Sequence, residues 1–192
     1  MLDSRRVASW ISLPLLALLL AGAPAAGAHR HGLSARQACP TAVTVSADAR
    51  VLKKALLCLH NFERRRRGLS QLRLNADLSA VALGHARDMV KRHYFAHVSP
   101  GRRDHMDRLA ASAYAPPVGC FTAGENLLVA DGAATALQLL QAWLNSPEHR
   151  ANIMHRGWRD FGLGIVGKSP QGDANGLTVV ALFGLRSTTT CG

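Results

Sequence analysis

An α+β domain is predicted for this 192-residue chain by three observations. Apolar residues recur at helical spacing through the first two thirds, short runs rich in β-branched residues follow, and turn-forming residues rather than a crossover helix separate those runs. The predicted arrangement is therefore helices packed on an antiparallel sheet. With 48% hydrophobic residues the chain can bury a core, which excludes a wholly disordered protein despite a formal net charge of +11. No internal repeat or interdomain linker divides it.

Taken in order, the first segment reads as an address. Arg5 and Arg6 precede an apolar stretch over residues 8–21, then Pro24 and the triplet Ala26, Gly27, Ala28, the pattern of a signal peptide cleaved after Ala28. The stretch falls short of the ~20 residues that cross a bilayer as a helix. The expected organisation is a signal peptide over 1–28, an irregular N-terminal tail over 29–47 tied down at Cys39, and one domain over 48–192. Losing the leader lowers the net charge only to +10, so the basic excess belongs to the folded part.

Helical spacing of Val51, Ala55, Leu56, Leu59 and Phe62 predicts a first helix over 48–67, stopped by Gly68. Its basic tail, residues 64–67, is expected to face water at a helix C-terminus, where the macrodipole favours cations. Asn75 caps a second helix reaching residue 93, with Leu78, Val81, Ala82, Ala86, Met89 and Val90 inward. His85 falls on that stripe and reads as a core histidine. A third helix is expected over 133–145, after Gly132, with Leu137, Leu140, Trp143 and Leu144 inward. Ser146 as N-cap, Pro147 at the first helical position and Glu148 in the first turn then open a short helix ending at Met154. Residues 161–166 and 177–183 read as a hairpin. The stretches 95–109 and 115–126 read as long connections, with Asn126 as a turn residue.

Outside the cytoplasm, an even number of cysteines reads as bridges. Four cysteines allow three pairings. Cys39 with Cys58 and Cys120 with Cys191 is the expected set, stabilising by ~3 and ~4 kcal/mol through loop closure. No Cys-x-x-Cys spacing suggests a metal site built on thiolates.

Four segments in order carry a resemblance: LHNFERRRRGLSQLRLNADLSAVALGHARDM, YFAHVSP, GENLL and WLNSPEHRANIMHRGWRDFGLGIV. Together they resemble the CAP superfamily, named for cysteine-rich secretory proteins, antigen 5 and pathogenesis-related proteins, and specifically its bacterial extracellular branch. The match spans about residues 56–184. The resemblance implies a three-layer α-β-α sandwich with a central antiparallel sheet, and a cleft where two histidines and two glutamates meet. His97 takes the first histidine position, Glu125 the first glutamate and His149 the second histidine. The second glutamate has no counterpart, because Trp143 is followed directly by Leu144, Asn145 and Ser146. Glu148 stands beside His149 and, with Ser146, is a possible cleft neighbour.

Two imidazoles and a carboxylate form a ligand set that zinc accepts, with a fourth position left for water. Glu125 has two further roles open to it, a general base or a group that holds a histidine tautomer. No HExxH helix or Gly-x-Ser-x-Gly elbow is present, and no catalytic residue is assigned. The first reading is thus a secreted, monomeric binding domain that takes a divalent metal and a small or lipid-like ligand between His97, Glu125 and His149. A metal-dependent hydrolase is the second reading. A basic protein that attaches to an anionic envelope polymer or membrane surface is the third. Export makes nucleic acid an unlikely partner for that charge.

Overall fold

The computed structural model describes residues 33–189. The leader expected over 1–28 and Cys191 lie outside them. Six helices and four strands follow in the order α1 (Ala35–Ala38), α2 (Ala49–Arg65), β1 (Arg73–Leu74), α3 (Ala76–Arg92), α4 (His105–Ala110), β2 (Cys120–Asp131), α5 (Ala136–Asn145), α6 (Pro147–Met154), β3 (Asp160–Val166) and β4 (Gly176–Ser187). Among the described residues no helix is long and apolar enough to cross a membrane.

The strand order is β1-β3-β4-β2. β2, β4 and β3 pair antiparallel, and the two-residue β1 adds a parallel edge beside β3. The sheet is therefore mixed, because the chain leaving α2 runs alongside β3 in the same direction before α3 begins. Period-two alternation along β4 divides its side chains between two cores. Val180 and Leu182 join Leu78, Ala82, Ala86 and Met89 of α3 on one face. Val179, Ala181 and Phe183 join Leu56, Leu59, Leu140 and Trp143 on the other, where α2 and α5 pack. This is the expected α-β-α sandwich.

β3 alternates more sharply. Phe161, Leu163 and Ile165 enter the α2 and α5 core. Gly162 and Gly164 lie between them and face α3, whose backbone runs so close that a Cβ on either glycine would strike Leu78 or Ala82.

The caps at Asn75 and Ser146 stand as the sequence predicts, and Asp48 adds a third at α2, each side chain accepting from a backbone N–H in the following turn. Four readings need correction. The tail contains α1 with a Ser34–Gln37 capping box, and buried Cys39 and Ala42 fix the turn after it. The third helix begins at Ala136 under a Thr135–Gln138 capping box, later than the apolar pattern suggested. The connection 95–109 contains most of α4, and 115–126 contains half of β2, whose small and polar residues hide its strand period. Arg64 does not face water. It is fully buried and donates to the carbonyls of Ser70, Ile153, His155 and Trp158 at 2.8–3.3 Å.

Cys39 is bonded to Cys58, which ties α1 and the turn after it to α2. Closing this loop stabilises the fold by ~3 kcal/mol in the chain-entropy account. Cys120 is also disulfide-bonded.

His60 occupies the centre of the larger core, against the rings of Trp143, Phe161 and Phe183. Its Nδ1–H donates to the Leu56 carbonyl at 2.7 Å, and its Nε2 is buried without a partner. Burial pushes its pKa down to about 4, against a partial upward effect of the Leu56 hydrogen bond. The unfolded chain, with a histidine pKa near ~6.5, therefore binds this proton first as pH falls. The contribution of neutral His60 is intact above pH ~6.5 and is lost progressively down to about pH 4, a total of about 3 kcal/mol. Urea denaturation at pH 7 and pH 4 should show His60→Leu losing about 3 kcal/mol less than wild type over that interval. Equal losses in the two proteins would remove His60 as the cause.

Candidate functional site

The site is built across β2, the edge strand beside β4. Glu125 and Asn126 are successive residues of that strand, so their side chains leave on opposite faces. Glu125 points to the α3 side, together with Leu127. Asn126 points to α6.

Glu125 is 4% exposed and both carboxylate oxygens are engaged. Oε1 accepts from His97 Nδ1–H at 2.9 Å, and Oε2 accepts from Arg108 Nη2 at 2.8 Å. Burial by itself would raise the pKa of this carboxyl. The His97 hydrogen bond, the Arg108 charge and then His85 outweigh it, and the pKa falls below the usual value. Glu125 is thus an ionised carboxylate at neutral pH.

That carboxylate defines the state of His97. An ionised carboxylate can only accept, so Nδ1 must carry the proton, and in the neutral ring Nε2 keeps its lone pair. His97 sits on the connection between α3 and α4 with its side chain half exposed. Arg108, from α4, donates to the His97 carbonyl at 3.1 Å as well as to Glu125. One guanidinium therefore holds both the backbone of His97 and the carboxylate that orients its ring.

On the opposite face, Asn126 Nδ2 donates to the His149 carbonyl at 3.0 Å, and Asn152 Nδ2 donates to Asn126 Oδ1 and to the Glu125 carbonyl. Asn126 is a fully buried strand residue rather than a turn residue, because α6 covers this side of the edge. Gly124 leaves room for α6, since a Cβ there would lie 2.7 Å from Asn152 Oδ1. His149 follows the Ser146 cap at the third helical position, where its N–H meets Ser146 Oγ at 3.5 Å. Burial, then the charge of His97, lowers the His149 pKa, with Glu148 acting weakly in the other direction. The ring is neutral at pH 7. Ser146 is committed to the cap, and Glu148 is exposed.

The structure adds two residues that the sequence did not assign to the site. Arg108 is one. His85 is the other: its Nε2–H donates to the Ala96 carbonyl at 3.1 Å, as a satisfied core histidine does, yet the same nitrogen lies 4.0 Å from Glu125 Oε1. Burial lowers the pKa of His85 more than Glu125 raises it. Next to it, the Tyr94 hydroxyl donates to Asp88 at 2.5 Å. Among the described residues no group of three or more His, Cys, Asp and Glu is placed to hold a metal ion. The cleft presents the imidazoles of His97 and His149, with Glu125 bonded behind the first of them.

Comparison with known proteins bears on the family and the fold. The sequence profile of the cysteine-rich secretory protein family matches residues 57–183. An uncharacterised protein of Bacillus subtilis, YkwD, is 34% identical over 128 residues, covering 66% of this chain and 48% of that protein. The uncharacterised membrane protein YlbC of the same organism is 33% identical over 115 residues, covering 59% of this chain and 31% of that protein. The chain thus spans half or less of the curated relatives it matches. Among solved structures, an extracellular protein containing an SCP domain from Bacillus anthracis superposes with a TM-score of 0.56 at 27% identity, covering 72% of this chain and 44% of that one. An outer surface protein of Borrelia burgdorferi gives 0.60 at 21% identity, covering 73% and 96%, and shows the shared fold. Since the profile runs from the middle of α2 to the end of the β4 core and takes in well over half the sequence, the chain belongs to the cysteine-rich secretory protein (CAP) family.

Proposed function

We propose that this protein is a secreted or surface CAP-domain protein that binds a divalent metal, zinc above others, between His97 and His149. The observation that carries the reading is the His97 Nδ1–H hydrogen bond to Glu125, which holds the Nδ1 proton in place and leaves Nε2 as the atom a metal would take. His149 supplies a second imidazole, neutral at pH 7, within the field of the first. Glu125 then orients a ligand instead of being one, since neither of its oxygens is spare. A metal bound here would supply Lewis acidity and an activated water. The residues themselves contribute binding and orientation: Glu125 holds the proton on Nδ1, and Arg108 keeps Glu125 ionised. With neither Glu125 oxygen spare to act as a general base, binding is favoured over hydrolysis. A small or lipid-like molecule that carries a metal-seeking group is the ligand this cleft suits. Location outside the cytoplasm is supported by the leader pattern, by the disulfide and by the extracellular and outer-surface descriptions of the two structural relatives.

The test is zinc titration calorimetry on the wild type and three variants. His97→Ala and His149→Ala should each weaken binding at least tenfold, about 1.4 kcal/mol. Glu125→Gln should weaken it about tenfold while both imidazoles remain, as loss of an orienting partner does. Equal affinity in all four proteins would reject the site.

A further inference from the structure

We infer that the protein carries a second site, separate from the His97 and His149 cleft, that binds a small oxyanion of the phosphate class. On the far side of Arg108, a cavity of about 230 Å³ opens between α3, the α3–α4 connection and α4. His85, Asp88, Arg92, Ser99, Arg103 and Arg108 line it, with two glycines completing the wall. Three guanidiniums thus share one small space with a single carboxylate.

That carboxylate offsets only one of them, Arg92. Asp88 Oδ2 accepts from the Tyr94 hydroxyl, and Oδ1 lies 3.8 Å from Arg92 Nη1, beyond hydrogen-bond range. Arg108 spends its charge on Glu125, while its Nε–H is buried without an acceptor. Arg103 makes no ion pair among the described residues. His85, its pKa lowered by burial, is neutral at pH 7 and leaves the balance unchanged. The cavity therefore keeps a positive excess.

It is also held in place. The Arg103 carbonyl accepts from Ser99 N, from Ser99 Oγ and from Arg108 Nη1, all at 2.9–3.0 Å, and the turn between Ser99 and Arg103 closes through Arg102 N donating to Ser99 O at 2.7 Å. Arg102 takes a left-handed conformation to make that turn. The backbone that presents the Arg103 side chain is therefore fixed before any ligand arrives. Arginine forks suit the oxygens of phosphate, and those of Arg92 and Arg103 can address different oxygens of one tetrahedral group, while the Arg108 fork is held by Glu125 and by the His97 and Arg103 carbonyls. A cavity of this size is below that of ordinary drug-sized pockets and selects a small charged group over an extended molecule.

Calorimetric titration of the whole protein with inorganic phosphate at low salt tests the assignment. Arg103→Ala should weaken phosphate binding at least tenfold and leave zinc affinity unchanged, because its side chain holds nothing in the fold. Arg87→Ala, which deletes the same charge from the exposed side of α3, should leave phosphate binding unchanged. No heat from wild type up to about 10 mM phosphate, too weak to register as a site, would overturn the proposal. Equal weakening by Arg103→Ala and Arg87→Ala would also overturn it, because only overall charge would then be sensed. Sedimentation with phosphatidylcholine vesicles, with and without phosphatidate, separates the two sources of the group. Phosphatidate-dependent sedimentation that Arg103→Ala abolishes assigns the group to a lipid headgroup, and phosphate binding without sedimentation assigns it to a soluble phosphate.

Discussion

Arg64→Met is expected to lower the unfolding free energy by about 4 kcal/mol, measured by urea denaturation at pH 7. The guanidinium is fully buried, and its partners are the nearby Ser70 carbonyl and the distant carbonyls of Ile153, His155 and Trp158. Ile153 and His155 lie at the C-terminal end of α6, where the last carbonyls have no partner within the helix. A cation is also favoured there by the helix dipole. Burial and the neighbouring charge of Arg159 lower the pKa of Arg64, but a guanidinium remains protonated. Methionine matches the apolar stem and offers no donors, so several buried carbonyls lose their partners at about 1–3 kcal/mol each, with some recovered by local relaxation. Arg64→Lys should restore only part of the loss, since a single ammonium cannot reach Ser70, Ile153 and Trp158 together. A methionine variant within about 1 kcal/mol of wild type would show that the carbonyls find other donors and that Arg64 is not the clasp described here.

Gly164→Ala is expected to cost a similar amount, about 4 kcal/mol. A Cβ on Gly164 would lie 2.2 Å from the Ala82 carbonyl carbon and 2.3 Å from its oxygen. These are backbone atoms of α3, so no side-chain rotation relieves the contact. The helix must lift from the sheet, which opens the core around Leu78, Ala82 and Val180 and moves His85 away from Glu125. Gly167→Ala is the matched control, one residue beyond β3, where an added Cβ meets nothing within 4 Å. The control should change stability by less than about 0.5 kcal/mol. A Gly164→Ala protein as stable as the control would contradict the close approach of α3 to β3.

Side-chain phase explains what the sequence revealed and what it hid. Caps at Asn75 and Ser146 are local signals, made within one turn, and they could be read directly. Arg64 was hidden by its neighbours. Four consecutive arginines look like a solvated tail, yet Arg64 stands four residues after His60 and eight after Leu56, on the buried face of α2. Helical phase was the stronger signal there, and charge obscured it. In β2 the triplet Gly124, Glu125, Asn126 reads as a turn because each residue is a poor strand former taken alone. Each is explained only by what it faces: Asn152 for Gly124, His97 and Arg108 for Glu125, and α6 for Asn126. The resemblance to CAP proteins brought out His97, Glu125 and His149 as a set, which spacing alone could not do. Arg108 carried no local signal, since its partner is 17 residues away in a different element.

The twelve-residue ladder between β2 and β4 sets Glu125 against Leu182 and Asn126 against Ala181. A slip of one residue would exchange the two side chains, turning the carboxylate toward α6 and the amide toward His97. The ladder is in this sense the alignment gauge of the cleft. In descendants of this sequence, insertions or deletions should accumulate in the turn between β3 and β4, where they leave the β2–β4 register unchanged. Within residues 120–131, a single inserted or deleted residue would dismantle both halves of the site at once, even in a protein that still folds.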